Sequence, residues 1–118
     1  MSRRTERVSE QVRGELARLL REEVSDPRIG LVTLTRVDVS PDFGNASVFW
    51  SALPTKGERA DREERTQAGL SHAASFLRRR LAQELSLRRT PELHFVHDPS
   101  LAEGAHTLAL LQELRDES

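Results

Sequence analysis

Residues 31–52 constrain the fold more than any other part of this sequence. Leu31–Ser40 and Asn45–Ala52 are both rich in β-branched or aromatic side chains, which favour extended strands. The four residues between them, Pro-Asp-Phe-Gly at 41–44, have the composition of a tight turn. Because two strands joined by so short a turn run antiparallel, we predict a β-hairpin.

The first strand of this hairpin changes phase midway. Apolar side chains alternate up to Leu34 and then resume out of step at Val37 and Val39. One extra residue in the strand would restore a common buried face. We therefore predict a β-bulge near Thr35 or Arg36, with partial burial of both faces as the alternative.

Helical periodicity flanks the hairpin on both sides. From Arg4 to Val24, apolar side chains recur every three or four residues and so share one stripe of a helix. Pro27 ends this helix, because it disfavours helical geometry at the preceding residue. A second helix is predicted from about Gln67 onward. The charged residues at 58–65 are interpreted either as a solvated loop or as the exposed first turns of that helix.

A third short strand, Glu92–His97, follows the turn at Thr90 and Pro91. Beyond it, Leu108–Leu114 has the pattern of a final amphipathic helix. The predicted order is thus helix, strand, strand, helix, strand. We expect an α+β fold with a three-stranded sheet packed against helices, divided into a body at 1–99 and a partly helical or flexible tail at 100–118.

Size and composition indicate one compact domain. The chain has 118 residues, of which 36% are hydrophobic and 31% charged, as in folded proteins that act in water. No apolar run approaches the roughly 20 residues that span a bilayer, and the basic N-terminus lacks the apolar core of a secretory signal. The sequence contains no cysteine. We expect a cytoplasmic protein without a membrane partner or a cofactor, monomeric when free.

Positive charge is concentrated although the net charge is only −1. Lys56 is the only lysine, so 17 of the 18 basic residues are arginine, whose planar fork of donors matches phosphate oxygens. A solvated helix face is one interpretation of the arginines at 75–95. A phosphate-binding surface is the other, and the candidates are Arg78, Arg79, Arg80, Arg88 and Arg89, joined by Arg3, Arg4 and Arg7 if the first helix packs alongside.

Catalytic and metal-binding motifs are weak by comparison. His94, His97 and His106, with Glu103, fall in one segment, but no His-Glu-x-x-His pattern is present and His94 and His97 would lie on opposite faces of a strand. No serine has a nucleophile-elbow context, and no glycine-rich nucleotide loop occurs. A small metal-dependent hydrolase is therefore the weakest of the functional hypotheses, and no metal site or enzymatic activity is expected.

The predicted element order is that of a KH-type RNA-binding module. Such modules clamp single-stranded nucleotides with a Gly-x-x-Gly loop. The six glycines of this chain are never three residues apart. Sequence-specific recognition of four nucleotides in the usual KH manner is therefore not expected.

Several segments together resemble the bacterial ribosome-binding factor A family. They are Arg4 and Arg7, EEVSDPR at 22–28, VTLTRVDVSPD at 32–42, ASVFWS at 46–51, AASFLR at 73–78, LRRTPELHF at 87–95, DPS at 98–100 and Gly104. They cover nearly the whole chain in the family's order. The resemblance implies a KH-like type II fold in which an interhelical kink at an Ala-x-Gly sequence replaces the Gly-x-x-Gly loop. The matching residues are Ala73, Ala74 and Ser75, so serine stands where the family has glycine.

The same resemblance implies a non-enzymatic assembly factor. Such a factor binds free small (30S) ribosomal subunits, assists late maturation of 16S rRNA including its 5′ end, and supports growth in the cold. The arginines named above would contact RNA phosphates, with Arg28 and Arg36 as second-rank candidates. The alternative hypothesis is a protein-interaction module that uses the helix at Leu108–Leu114.

Overall fold

A computed structural model of the protein describes residues 3–52 and 59–99, with residues 59 and 60 described by their backbone alone. The elements are α1 (Arg3–Glu22), β1 (Val32–Val39), β2 (Asn45–Ala52), α2 (Arg59–Glu84) and β3 (Glu92–His97). The predicted order of helices and strands is confirmed. The helix predicted at Leu108–Leu114 lies outside the described residues.

Helix α2 begins at Arg59, well before the apolar periodicity that starts near Gln67. Of the two interpretations of the charged segment, helical first turns are therefore correct for residues 59–65. Acidic Asp61 lies in the first turn, where a negative charge interacts favourably with the helix dipole. Thr66 and Leu70 are buried farther along the helix, so apolar periodicity begins only after these charged turns.

The same helix runs without interruption through Ala73, Ala74 and Ser75. One continuous helix extends from Arg59 to Glu84, whereas the resemblance implied two helices on either side of a kink. A kink in the helix axis at these three residues stays a prediction. Alanine has the highest helix propensity, and serine costs less in a helix than glycine. The residue that departs from the family pattern, Ser75, is thus compatible with an unbroken helix.

The sheet has the order β1-β2-β3. Strands β1 and β2 form the predicted antiparallel hairpin, and the register shifts between Leu34 and Arg36. The predicted bulge is confirmed, with Thr35 as the extra residue. Strand β3 pairs parallel to β2, and helix α2 supplies the crossover that a parallel pair requires.

One hydrophobic core lies between the helices and one face of the sheet. Helix α1 packs mainly on β1, whereas α2 packs on β3 and touches α1. The bulge brings Leu34, Val37 and Val39 onto the same buried face. Among the residues that the structure describes, this core contains Val12, Leu16 and Leu19 of α1; Leu34, Val37, Val39, Ala46, Val48, Trp50, Leu93 and Phe95 of the sheet; and Leu70, Leu77 and Leu81 of α2.

Gln67 connects three elements beside this core. The fully buried Trp50 donates its indole N–H to the Gln67 Oε1 atom at 2.7 Å, and the Gln67 Nε2 atom donates to the Phe95 carbonyl at 2.8 Å. Leucine at this position would leave the indole N–H without an acceptor, which typically costs about 1–3 kcal/mol. We expect Gln67→Leu to lower the free energy of unfolding by that amount in urea denaturation. Gln11→Leu, at an exposed α1 position, is the control and should change it far less.

Candidate nucleic-acid interface

The candidate arginines lie in separate groups on the surface, and the first group surrounds a cleft. The start of α1, the β1–β2 turn and the segment between α2 and β3 enclose a volume of about 430 Å³. Arg4, Arg88 and Arg89 line it together with the ring of Phe43. The structure therefore brings Arg4 beside the basic pair that follows α2. Arg3 and Arg7 are exposed on the first turns of the same helix.

The β1–β2 turn forms one wall of this cleft and is tightly hydrogen bonded. The Asp42 Oδ1 atom accepts from the Ser40 hydroxyl at 2.6 Å and from the Gly44 N–H at 2.9 Å. These hydrogen bonds, that from Ser40 most strongly, lower the pKa of Asp42, and the Arg89 charge adds to the effect. A Cβ on Gly44 would come within 3.1 Å of the Arg89 guanidinium carbon, so glycine lets that guanidinium lie against the turn.

Arg78 has a positioning role next to this group. Its Nε and Nη2 atoms donate to the Thr90 carbonyl at 3.3 and 3.0 Å. The bonds connect the last turns of α2 to the segment that carries Arg88 and Arg89. Arg78 therefore helps to fix the position of the basic pair, while its side chain remains exposed.

Arg80, in contrast, is engaged in ion pairs between the helices. It lies 3.1 Å from Glu23, which follows α1, and 2.9 Å from Glu84 on α2. The hydrogen bonding of its guanidinium to the Glu23 carboxylate is the main cause of a raised pKa for Arg80. Arg18 joins the same network, 3.8 Å from Glu23 and 4.0 Å from Glu84. Two carboxylates thus already compensate the Arg80 charge, which makes it a weaker phosphate candidate than its neighbours.

A second group lines an open groove between residues 23–28 and the middle of α2. The groove has a volume of about 790 Å³ and includes Arg28, Arg79 and His72. Arg79 makes no hydrogen bond or ion pair with the described residues. Arg28 is paired with Asp26, with the Nη2 atom 2.7 Å from Oδ2.

The Asp26–Arg28 pair predicts a measurable pH dependence. Hydrogen bonds from the Arg28 side chain, and then from its backbone N–H, lower the pKa of Asp26 to about 2 from an ordinary value of 3.8. A carboxyl whose pKa falls on folding stabilises the fold above its unfolded pKa, and this contribution is lost as the pH falls through the folded value. We expect the Asp26 carboxyl carbon to titrate near pH 2 by NMR, and at a higher pH in Arg28→Gln. A wild-type midpoint at the ordinary value would contradict the pairing.

Arg36 lies apart from both groups, on the sheet face away from the helices. Its guanidinium carbon is 4.3 Å from the centre of the Phe49 ring, and its Nε atom is 3.1 Å from Asp38. His94 lies on the same face and shares a 2.9 Å hydrogen bond with Asn45. This face therefore presents stacked and hydrogen-bonded side chains, with the charge of Arg36 balanced by Asp38.

The two histidines of β3 point to opposite faces of the sheet. His97 packs its ring against Trp50 with centroids 4.6 Å apart, whereas His94 is exposed on the other face. Within residues 3–52 and 59–99 there is no group of three side chains placed to hold a metal ion. Glu103 and His106 lie outside those ranges. In the same part of the chain, no helix is long and apolar enough to cross a membrane.

Sequence reasoning missed the contribution of the β1–β2 turn. The local pattern assigns Phe43 to a turn and not to a site, yet its ring faces Arg4, with the guanidinium carbon 5.5 Å from the ring centre. The signal that was available is an aromatic residue between Asp42 and Gly44, at a turn position where small or polar residues are usual.

Comparisons with known proteins identify the family. A model of the family described as ribosome-binding factor A matches residues 4–111. The chain belongs to the ribosome-binding factor A family. The ribosome-binding factor A of Pseudomonas fluorescens is 47% identical over 109 residues, which cover 92% of this chain and 80% of that protein. The three-stranded α+β fold is accordingly the KH-like fold of this family.

Solved structures of ribosome-binding factor A agree with the assignment. The crystal structure of the Thermus thermophilus protein aligns with a TM-score of 0.67 at 28% identity, covering 79% of this chain and 93% of that one. A homology model of the Thermus thermophilus protein, fitted into a cryo-EM map of a 30S complex, aligns with a TM-score of 0.60 at 27% identity, covering 77% and 91%.

Proposed function

We propose that this ribosome-binding factor A binds the free small ribosomal subunit, as a monomer, and assists late maturation of its 16S rRNA, including the 5′ end. The observation that carries the proposal is membership of a family in which a relative of the same fold has been fitted into a 30S complex. A role in adaptation to cold and a cytoplasmic location belong to the same proposal, since assembly intermediates would be the site of action.

Exposed arginine side chains support the proposal that this protein binds RNA. Six of the candidate arginines make no hydrogen bond and no ion pair with the described residues, and their guanidinium groups are available for phosphate oxygens. They are Arg3, Arg4, Arg7, Arg79, Arg88 and Arg89. Phosphate contacts of this kind position a protein on folded RNA without reading its base sequence.

The proposed role is that of a binding factor and not of a catalyst. A rigid fold that binds one conformation of the subunit better than another shifts the population toward the favoured conformation. This chain provides such a rigid body, since one core joins both helices to all three strands. The free energy of binding would then drive maturation without any covalent step.

Co-sedimentation with purified free small subunits at moderate salt tests this function. We expect the folded protein to pellet with the subunit at near-stoichiometric amounts, and to pellet much less with the large subunit. A protein that is folded by circular dichroism but stays in the supernatant would contradict the proposal.

Residues 1–99 are proposed to be sufficient for this binding. All three strands, both described helices and every candidate arginine lie within them. We expect a chain ending at Pro99 to retain affinity for the small subunit within about threefold, a change of less than about 1 kcal/mol. Loss of binding by a shortened chain that is still folded would favour the alternative, in which the C-terminal segment carries the interaction.

A further inference from the structure

The cleft beside the β1–β2 turn combines the aromatic ring of Phe43 with three arginines. We propose that it binds one unpaired nucleotide of the RNA, with the base against Phe43 and the phosphate between Arg88 and Arg89. This inference rests on the proposed function and adds a specific contact to it. The two halves of a nucleotide, a flat ring and an anion, correspond to the two kinds of side chain that line the cleft.

The backbone of Phe43 supplies the first argument. Its φ angle is +59°, in the left-handed region that glycine and asparagine adopt easily and bulky residues rarely do. Such strained residues are concentrated at binding and active sites. Here the strained residue directs an aromatic ring to the cleft, where it packs partly against the core and partly faces Arg4.

The charges of the cleft supply the second argument. Arg4, Arg88 and Arg89 line it, against the single carboxylate of Asp42. That carboxylate already accepts hydrogen bonds from Ser40 and Gly44, and one negative charge cannot compensate all three guanidinium groups. Arg88 makes no hydrogen bond or ion pair with the described residues. An anion entering the cleft therefore meets excess positive charge.

The shape of the cleft favours a nucleotide over a bare phosphate. Val8 and Leu87 form an apolar wall beside Phe43, and Gln11 adds an amide that can donate to and accept from a base edge. The volume of about 430 Å³ lies within the range of small-molecule sites. An inorganic phosphate would leave the apolar wall uncovered, whereas a base would cover it by stacking, as in many single-stranded RNA complexes.

Titration of the full-length protein with adenosine 5′-monophosphate, followed by NMR, is the first test. We expect saturable shifts at the backbone amides of Phe43, Gly44, Arg88 and Arg89, with weaker binding of adenosine and of inorganic phosphate. Phe43→Asn keeps a residue that tolerates the left-handed backbone but removes the ring, and should abolish the response. Arg88→Gln, an exposed change, should weaken it. Shifts elsewhere, or equal binding of inorganic phosphate, would overturn the proposal.

Measuring the affinity for the small subunit tests whether the cleft binds a nucleotide within RNA or only a free nucleotide. We expect Phe43→Asn to weaken this binding about tenfold, the size of one lost base-stacking contact. Leu31→Asn removes an exposed apolar side chain outside the cleft and serves as the control. If the wild type binds the subunit and Phe43→Asn binds equally well, the proposal fails while the proposed function stands. If the wild type does not bind, the proposed function itself fails.

Discussion

The double variant Arg88→Gln, Arg89→Gln is expected to bind the free small subunit about a hundredfold more weakly than the wild type. Both side chains are exposed, both line the cleft beside Phe43, and the Thr90 carbonyl bound by Arg78 holds their segment in place. Hydrogen bonds to charged groups contribute about 1.5–3 kcal/mol each, so loss of two corresponds to a factor of roughly a hundred or more. Equilibrium binding of labelled protein to purified subunits measures the effect.

A matched control separates this local effect from a change in net charge. Arg13→Gln, Arg18→Gln also removes two positive charges, but carboxylates already compensate both arginines: Glu10 pairs with Arg13, and Arg18 pairs with Glu15, Glu22, Glu23 and Glu84. We expect the control to change the affinity by less than about threefold. Equal losses in the two double variants would show that the overall charge matters and that the position of Arg88 and Arg89 does not.

The variant Leu77→Ala is expected to lower the free energy of unfolding by about 2–5 kcal/mol. Leu77 is fully buried on α2, and it lies in the core that joins both helices to the sheet. Truncation removes apolar contacts and leaves a cavity that the surrounding side chains fill only in part. Urea denaturation followed by circular dichroism gives the change.

Leu31→Ala provides the same truncation on the surface. Leu31 is 88% exposed, so this change is expected to stay within about 0.5 kcal/mol of the wild type. A small effect of Leu77→Ala, comparable to that of Leu31→Ala, would mean that Leu77 does not pack in the core.

Local patterns predicted most of the fold. The turn at 41–44 and the β-branched residues beside it predicted the hairpin. The phase change after Leu34 predicted a bulge near Thr35 or Arg36, and the bulge lies at Thr35. Strand β2 has the predicted bounds. These features depend on residues close together in the sequence, for which side-chain alternation and turn composition are direct physical signals.

Parts of helix α2 could not be predicted from local sequence patterns. Its first turns are highly charged, with Asp61, Glu64 and Arg65 exposed, so they carry no apolar periodicity although they are helical. At Ala73–Ser75 the residues present all tolerate a helix, and one continuous helix is found there.

The arrangement of the arginines could be predicted only in part. Clustering in sequence predicted a basic surface, but Arg80 is compensated by Glu23, which lies 57 positions away in the chain. The cleft likewise joins Arg4 to Phe43 and Arg89, from three different segments. Contacts between distant segments depend on how the elements pack, and neither charge runs nor periodicity contain that information.

The salt dependence of binding to purified free small subunits tests the central claim most directly. If the six arginines that make no hydrogen bond or ion pair with the described residues each contact a phosphate, counterion release predicts a slope of roughly −5 for the logarithm of the association constant against the logarithm of salt concentration. The double variant at Arg88 and Arg89 should reduce the magnitude of the slope by about 2. A nearly flat slope for the wild type would contradict binding through arginine and phosphate.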